Sequence, residues 1–237
     1  MRRALGFLSI FGSAEPPTSS TLAWFPAAGL VLGAIVGGSW WLAARLWPPV
    51  VAAAVVVAVD VAVTGGLHVD GLADAADGLL PPMSRARRLE VMADPRVGAF
   101  AVVAVVVALL ARFSALAAVA PAPFAIAGLW CASRTALILV CEMPYARGVG
   151  LATNFLTPSA TSRRWRRAAV LVGLALSSVL VAYQRHGRGF AALGGELVAI
   201  ALVSLFARRR IGGFTGDVLG AATVVGETVG LLVLATR

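Results

Sequence analysis

Seven stretches of this chain run for about 17 to 23 residues with almost no charge: 22–43, 49–66, 98–120, 123–143, 168–184, 189–207 and 217–235. A helix needs about 20 apolar residues to cross the hydrocarbon layer of a bilayer. Inside that layer every backbone polar group must find a partner within the protein, so only helices and closed barrels cross it. The runs are rich in Ala, Leu, Val and Gly and lack the period-two alternation of a barrel strand. The expected fold is therefore all-α: a polytopic integral membrane helical bundle of about seven spans, forming one domain over residues 1–237. The two shortest runs, 49–66 and 168–184, define the softest part of that count. Composition agrees, with 59% hydrophobic residues, 13% charged residues and a mean hydropathy of +0.89, against about 25% charged in soluble domains. Residues 1–13 do not read as a cleaved signal, because Glu15, Pro16 and Pro17 interrupt a short apolar run.

All 20 basic residues are arginine, which a GC-rich genome explains without function. Their placement says more. With the N-terminus inside and seven spans threaded, 14 arginines fall in inside segments and 4, Arg45, Arg185, Arg188 and Arg237, fall outside. That is a positive-inside pattern, so the net charge of +9 reads first as topology and then as affinity for anionic lipid or substrate. No soluble basic domain is available to bind nucleic acid. Arg112 and Arg134 lie within spans, where each needs a partner or water. Cys131 and Cys141 lie ten residues apart along one straight helix, too far to pair, and read as packing residues.

Against this apolar background the acidic residues cluster. Five of the 11, Asp70, Asp74, Asp77, Glu90 and Asp94, lie within 25 residues. Asp70, Asp74 and Asp77 sit at i, i+4 and i+7, within a wedge about 60° wide on a helix. Stacked carboxylates repel, and repel more strongly near lipid, so a cation is expected against them. A divalent metal held by oxygen ligands is the natural candidate. An exposed, solvated helix face is the alternative. Against it, Leu67, Leu72, Leu79 and the alanines around them make the rest of that helix apolar, so it is placed at the membrane edge or as a re-entrant segment.

Glu90 and Asp94 repeat the i, i+4 spacing and can complete the metal site. Pro95 puts Asp94 at a helix end, and Arg96 offers a planar fork for phosphate oxygens. Arg85, Arg87 and Arg88 read as ordinary loop charges, Arg87 pairing with Glu90. His68 precedes the acidic face and is a candidate for metal or phosphate. Arg147, beside Gly148 and Gly150, is a candidate phosphate ligand or simply a basic anchor. Thr215-Gly216-Asp217 opens the last run, where backbone N–H groups attract anions and Asp217 can bind metal or orient a hydroxyl. Glu227 lies deep in that run with no local partner.

Three motifs, Gly-Gly-Leu-His-Val-Asp-Gly-Leu-Ala-Asp-Ala-Ala-Asp-Gly from Gly65, Met-Ala-Asp-Pro-Arg-Val-Gly-Ala-Phe from Met92, and Thr-Gly-Asp-Val-Leu-Gly-Ala from Thr215, in this order and spacing, resemble the cobalamin synthases, the adenosylcobinamide-GDP ribazoletransferases. The resemblance covers essentially the whole chain. It implies a multi-pass enzyme of the bacterial cytoplasmic (inner) membrane that joins adenosylcobinamide-GDP to α-ribazole or its 5′-phosphate, releases GMP and requires Mg²⁺. It also implies that Asp70, Asp74, Asp77, Glu90 and Asp94 are the metal and catalytic carboxylates. Within that chemistry Asp77, Asp94 and Arg96 are our catalytic candidates, and His68, Arg134, Arg147, Thr215 and Asp217 our substrate-binding ones. Membrane lipid is an expected partner, and a homo-oligomer is compatible with the chain.

Two rivals are less well matched. A CDP-alcohol phosphatidyltransferase also builds a metal site from spaced aspartates, but Asp70-Gly71-x-x-Asp74 lacks that family's Ala-Arg. An ion-coupled transporter gathers polar residues at mid-membrane on broken helices from both halves, whereas this chain gathers them on one face beside its arginines.

Overall fold

The structure is a computed structural model that describes residues 1–12, 17–147 and 160–236. Its elements are helical: α1 (Arg2–Leu8), α2 (Phe25–Leu46), α3 (Pro49–Val63), α4 (Leu67–Leu79), α5 (Arg85–Val91), α6 (Ala99–Ala118), α7 (Pro123–Val140), α8 (Ala160–Ile211) and α9 (Gly216–Leu234). A 3₁₀ turn at Thr21–Trp24 leads into α2. Among the described residues there is no strand, only one parallel bridge between Tyr145 and Phe214.

Among the described residues, five helical segments are long and apolar enough to cross a membrane, or six if α3 and α4 form one broken span. The chain is thus an all-helical membrane protein. α7 forms the centre, 83% buried, whereas only 28% of α6 is buried, leaving Val103, Val107 and Leu110 facing outward. α2 packs on α7 through Gly29, Gly33 and Gly37. A Cβ on Gly33 would lie 2.7 Å from the Cα of Ala127, and one on Gly37 would lie 2.6 Å from the carbonyl oxygen of Pro123. A small residue at every fourth position lets two backbones approach, which is how helices associate without a hydrophobic drive between them.

Two breaks shape the bundle. Gly65 (φ 59°) and Gly66 (φ 74°) take the left-handed region that glycine enters without penalty, and α4 leaves α3 at 86°. α4 therefore runs across one end of the bundle and does not extend the span. The second break is His186 (φ 44°, ψ −125°) inside α8. A Cβ on Gly189 would lie 2.7 Å from the carbonyl carbon of Val181, so the chain folds back there and α8 is a hairpin of two limbs.

Candidate active site

α4 carries the acidic face, and its position is set by contact with α9. A Cβ on Gly71 would lie 3.0 Å from the carbonyl oxygen of Asp217 and 3.1 Å from the Cα of Gly220. Only glycines allow this approach, and it brings Asp70 beside the start of α9. Buried Arg88 holds the other end of α4, donating to the carbonyls of Gly78 and Leu79, both at 2.8 Å. Arg88 thus satisfies terminal carbonyls that would otherwise be orphaned.

Three cavities meet at Asp70. The acidic one, of about 290 Å³, also has Asp74, Asp77 and Asp94 in its walls. A second, of about 440 Å³, lies between α1, α4 and α9, with His68, Tyr145, Arg147 and Asp217 in its lining. The third is an apolar groove of about 650 Å³ between α4 and the exposed side of α6.

The carboxylates differ in their surroundings. Asp74 is pushed up to about 6 by burial first, then by the nearby charges of Asp217 and Asp70, with Arg147 opposing. Its negative neighbours outweigh its positive one. Asp77 accepts hydrogen bonds from the backbone amides of Gly98 at 2.6 Å and Ala101 at 2.9 Å, so it caps the N-terminus of α6 from outside that helix. Asp94 holds Arg96 through both carboxylate oxygens, at 2.6 Å for Arg96 Nη2, and that partner keeps its pKa down at about 2. Glu90 is exposed and paired with Arg87 at 3.0 Å, away from the acidic cavity. The structure therefore brings Asp70, Asp74, Asp77 and Asp94 together and leaves Glu90 apart.

In the second cavity, Thr215 caps α9 through the amide of Val218, and its hydroxyl lies 3.2 Å from Asp217 Oδ2. Arg147 Nη2 bonds the same oxygen and the carbonyl of Met92, both at 3.0 Å. One guanidinium thus ties the loop after α7 to α9 and to the turn after α5. The Tyr145–Phe214 bridge, with rings 5.4 Å apart, reinforces that junction. His68 is buried and its Nδ1 has no hydrogen-bond partner. Burial, with Arg134 and Arg112 adding to it, pushes the imidazole well below the ordinary histidine range, so it is neutral. Gly148, Gly150 and Phe155 lie outside the described residues.

Arg134 sits elsewhere. It is 1% exposed and pairs with Glu227, which also accepts from Arg112 at 2.8 Å and Ser133 at 2.9 Å. Arg112 in turn pairs with Asp60, which receives the indole N–H of Trp130 at 3.0 Å. This buried network links α3, α6, α7 and α9. It supplies the partner that Glu227 lacks along the sequence, and it brings in Asp60, which no local pattern singled out.

Among the described residues, no three His, Cys, Asp or Glu side chains close tightly enough to hold a metal ion by themselves. Mg²⁺ is commonly held by one or two carboxylates, with substrate phosphates and water completing six oxygens. Asp70 and Asp74, one helical turn apart and in excess of positive charge, fit that donor set. Asp77, with its oxygens already engaged, fits it less well. The carboxylates of α4 and the Arg147–Asp217 pair thus lie side by side at the end of an apolar bundle.

Comparison with known proteins gives the same direction. The sequence model of the cobalamin-5-phosphate synthase family matches residues 1–235. The adenosylcobinamide-GDP ribazoletransferase of Chlorobium phaeovibrioides is 34% identical over 230 residues, 95% of this chain and 91% of that protein. The protein of the same name from Bradyrhizobium diazoefficiens is 36% identical over 248 residues, 99% of this chain and 92% of that one. Its Escherichia coli counterpart is 38% identical over 217 residues, 89% and 85% of the two chains. No solved structure matches this chain. With a match that runs from α1 through the acidic cavity to the end of α9, the chain belongs to the cobalamin-5-phosphate synthase family.

Proposed function

We propose that this protein transfers the adenosylcobinamide-phosphate group of adenosylcobinamide-GDP to a ribose hydroxyl of α-ribazole or its 5′-phosphate and releases GMP. The observation that carries this reading is the meeting of three cavities at Asp70: one acidic, one mostly apolar with a few charged groups in its lining, one an apolar groove. A transfer between two bulky substrates needs separate seats that share a reaction point.

In the reaction, the hydroxyl oxygen of the acceptor bonds to the phosphorus that carries the cobinamide side chain. The bond from that phosphorus to the GMP oxygen breaks. Such transfers depend on positioning and charge neutralisation more than on covalent help from the protein. Asp70 and Asp74 would hold Mg²⁺, which supplies charge neutralisation on the pyrophosphate. Arg147, in the lining of the cavity under α1, takes a phosphate oxygen with its free N–H groups. Asp217, oriented by Arg147 and Thr215, receives the hydroxyl proton beside Asp70. Arg96 is the most exposed cation near the site and reaches phosphate by releasing Asp94.

The reading includes a topology. Counting the two limbs of α8 separately, and α3 as a span that ends where α4 turns aside, gives seven crossings. The arginine distribution supports a cytoplasmic face for α4, α5 and the start of α9 in a bacterial inner membrane. Nucleotide-activated substrates are on that side. The test is GMP release from adenosylcobinamide-GDP by protein in liposomes with Mg²⁺. Release that depends on α-ribazole is the expected result, and none from folded protein overturns the reading.

A further inference from the structure

The cavity under α1 has features that the transfer reaction alone does not explain. Its wall is apolar on most sides, from Phe7, Leu8, Leu137 and Leu219. Its charged lining groups are Asp70 and the Arg147–Asp217 pair. The lining also holds His68, which is 5% exposed and whose Nδ1 has no partner in the protein. A buried polar nitrogen is costly to leave without a partner, so a ligand that bonds the imidazole is favoured there.

We infer that this cavity is the seat of the acceptor's base, with the His68 imidazole hydrogen-bonded to the unsubstituted ring nitrogen of a bicyclic, largely apolar heterocycle. This rests on the transferase reading above and adds which substrate sits where. At about 440 Å³ the cavity is near the lower end of small-molecule sites, which run from about 300 Å³. That suits a nucleoside and excludes a corrin ring. The donor's guanine is the competing occupant. It presents two N–H groups and a carbonyl along one edge, and the natural partners of those N–H groups in this lining, the carboxylates of Asp70 and Asp217, are taken in the reaction above by the cation and the acceptor hydroxyl. The base of α-ribazole, a dimethylated benzimidazole, has no N–H, two methyl groups and one accepting nitrogen. With the base against His68, its ribose hydroxyl is brought to Asp70 and Asp217 while the pyrophosphate occupies the acidic cavity.

The test is equilibrium binding of α-ribazole and of GMP to the full-length protein in detergent, after the wild type has passed the GMP-release assay. Failure of that assay removes the transferase reading, whereas failure below removes only the seat. A second ligand is the indole counterpart of α-ribazole, in which a C–H replaces the accepting nitrogen. The wild type should bind the indole compound about tenfold more weakly than α-ribazole, and His68→Ala should bind the two alike. Leu67→Trp, at a half-exposed position that also lines the cavity, should raise the Kd of α-ribazole about tenfold and that of GMP less than twofold. This variant keeps the test available if His68→Ala does not fold. Equal binding of the two acceptors by the wild type, or a Leu67→Trp effect on GMP as large as on α-ribazole, overturns the assignment.

Discussion

Gly71 on α4 and Gly220 on α9 meet face to face, with a Cβ on either lying 3.1 Å from the Cα of the other. This contact sets the distance between the acidic face and the Arg147–Asp217 pair. Gly220→Val must push the two helices apart. Overpacking of this kind costs about 1–3 kcal/mol, so the expected outcome is a lower Tm together with reduced GMP release. Gly38→Val, where a Cβ meets nothing within 4 Å, should leave both unchanged in the same thermal-unfolding and turnover measurements.

Asp70→Asn and Asp74→Asn should each reduce turnover by about 10²-fold or more, the size of losing a group that stabilises transition-state charge. Glu90→Gln, which removes only an exposed pair with Arg87, should stay within about twofold, since exposed pairs contribute little. Equal losses at Glu90 and Asp70 would place the reaction centre elsewhere.

The raised pKa of Asp74 has a sign that can be checked. The folded protein holds that proton more tightly than the unfolded chain, whose value is 3.8. Its contribution to stability is therefore greatest below about pH 4, falls as the pH rises through about 6, and is gone above that. In metal-free protein, Asp74→Asn should be at least as stable as wild type at pH 8 and should flatten the pH dependence of unfolding between 4 and 7. Added Mg²⁺ should stabilise the wild type more at pH 8 than at pH 5, because proton and cation compete for the same carboxylate.

Asp77 separates structural from chemical use of a carboxylate. Asp77→Ala should cost about 1–2 kcal/mol of stability through the lost cap on α6. Asp77→Asn keeps one accepting oxygen and should recover much of that, together with more activity than Asp70→Asn retains. Thermal unfolding and GMP release on the same samples decide it.

Glu227→Gln removes one charge from the buried network and leaves Arg134 facing a neutral amide. Breaking a buried pair on one side costs about 3–5 kcal/mol. The variant should insert into membranes but unfold at markedly lower temperature, without altering which acceptor the protein uses.

Much of the site was legible because it is local. The i, i+4, i+7 spacing of Asp70, Asp74 and Asp77 survives as one face of α4, and the Arg87–Glu90 pair forms within one helical turn. The apolar runs mark where helices lie, and the end of the 49–66 run marks where α4 begins. What could not be read is non-local. That Asp77 caps α6 depends on where Gly98 comes to rest, 21 residues away. That Arg134 serves Glu227 and not a substrate depends on a contact across 93 residues. The lining of the second cavity by Phe7 and Leu8 follows from the docking of α1, which its seven residues do not announce.

The buried network also dictates an order of biosynthesis. Asp60 and Arg112 are separated by 52 residues, so the first pair forms once α6 has left the ribosome and reached α3. Arg134 is made next and must wait 93 residues for Glu227. Until α9 is inserted, the cation on the central helix lacks its direct ion-pair partner and has only the fields of Asp60 and Glu196 to offset it. The arrival of α9 is therefore the event that completes the network around the central helix.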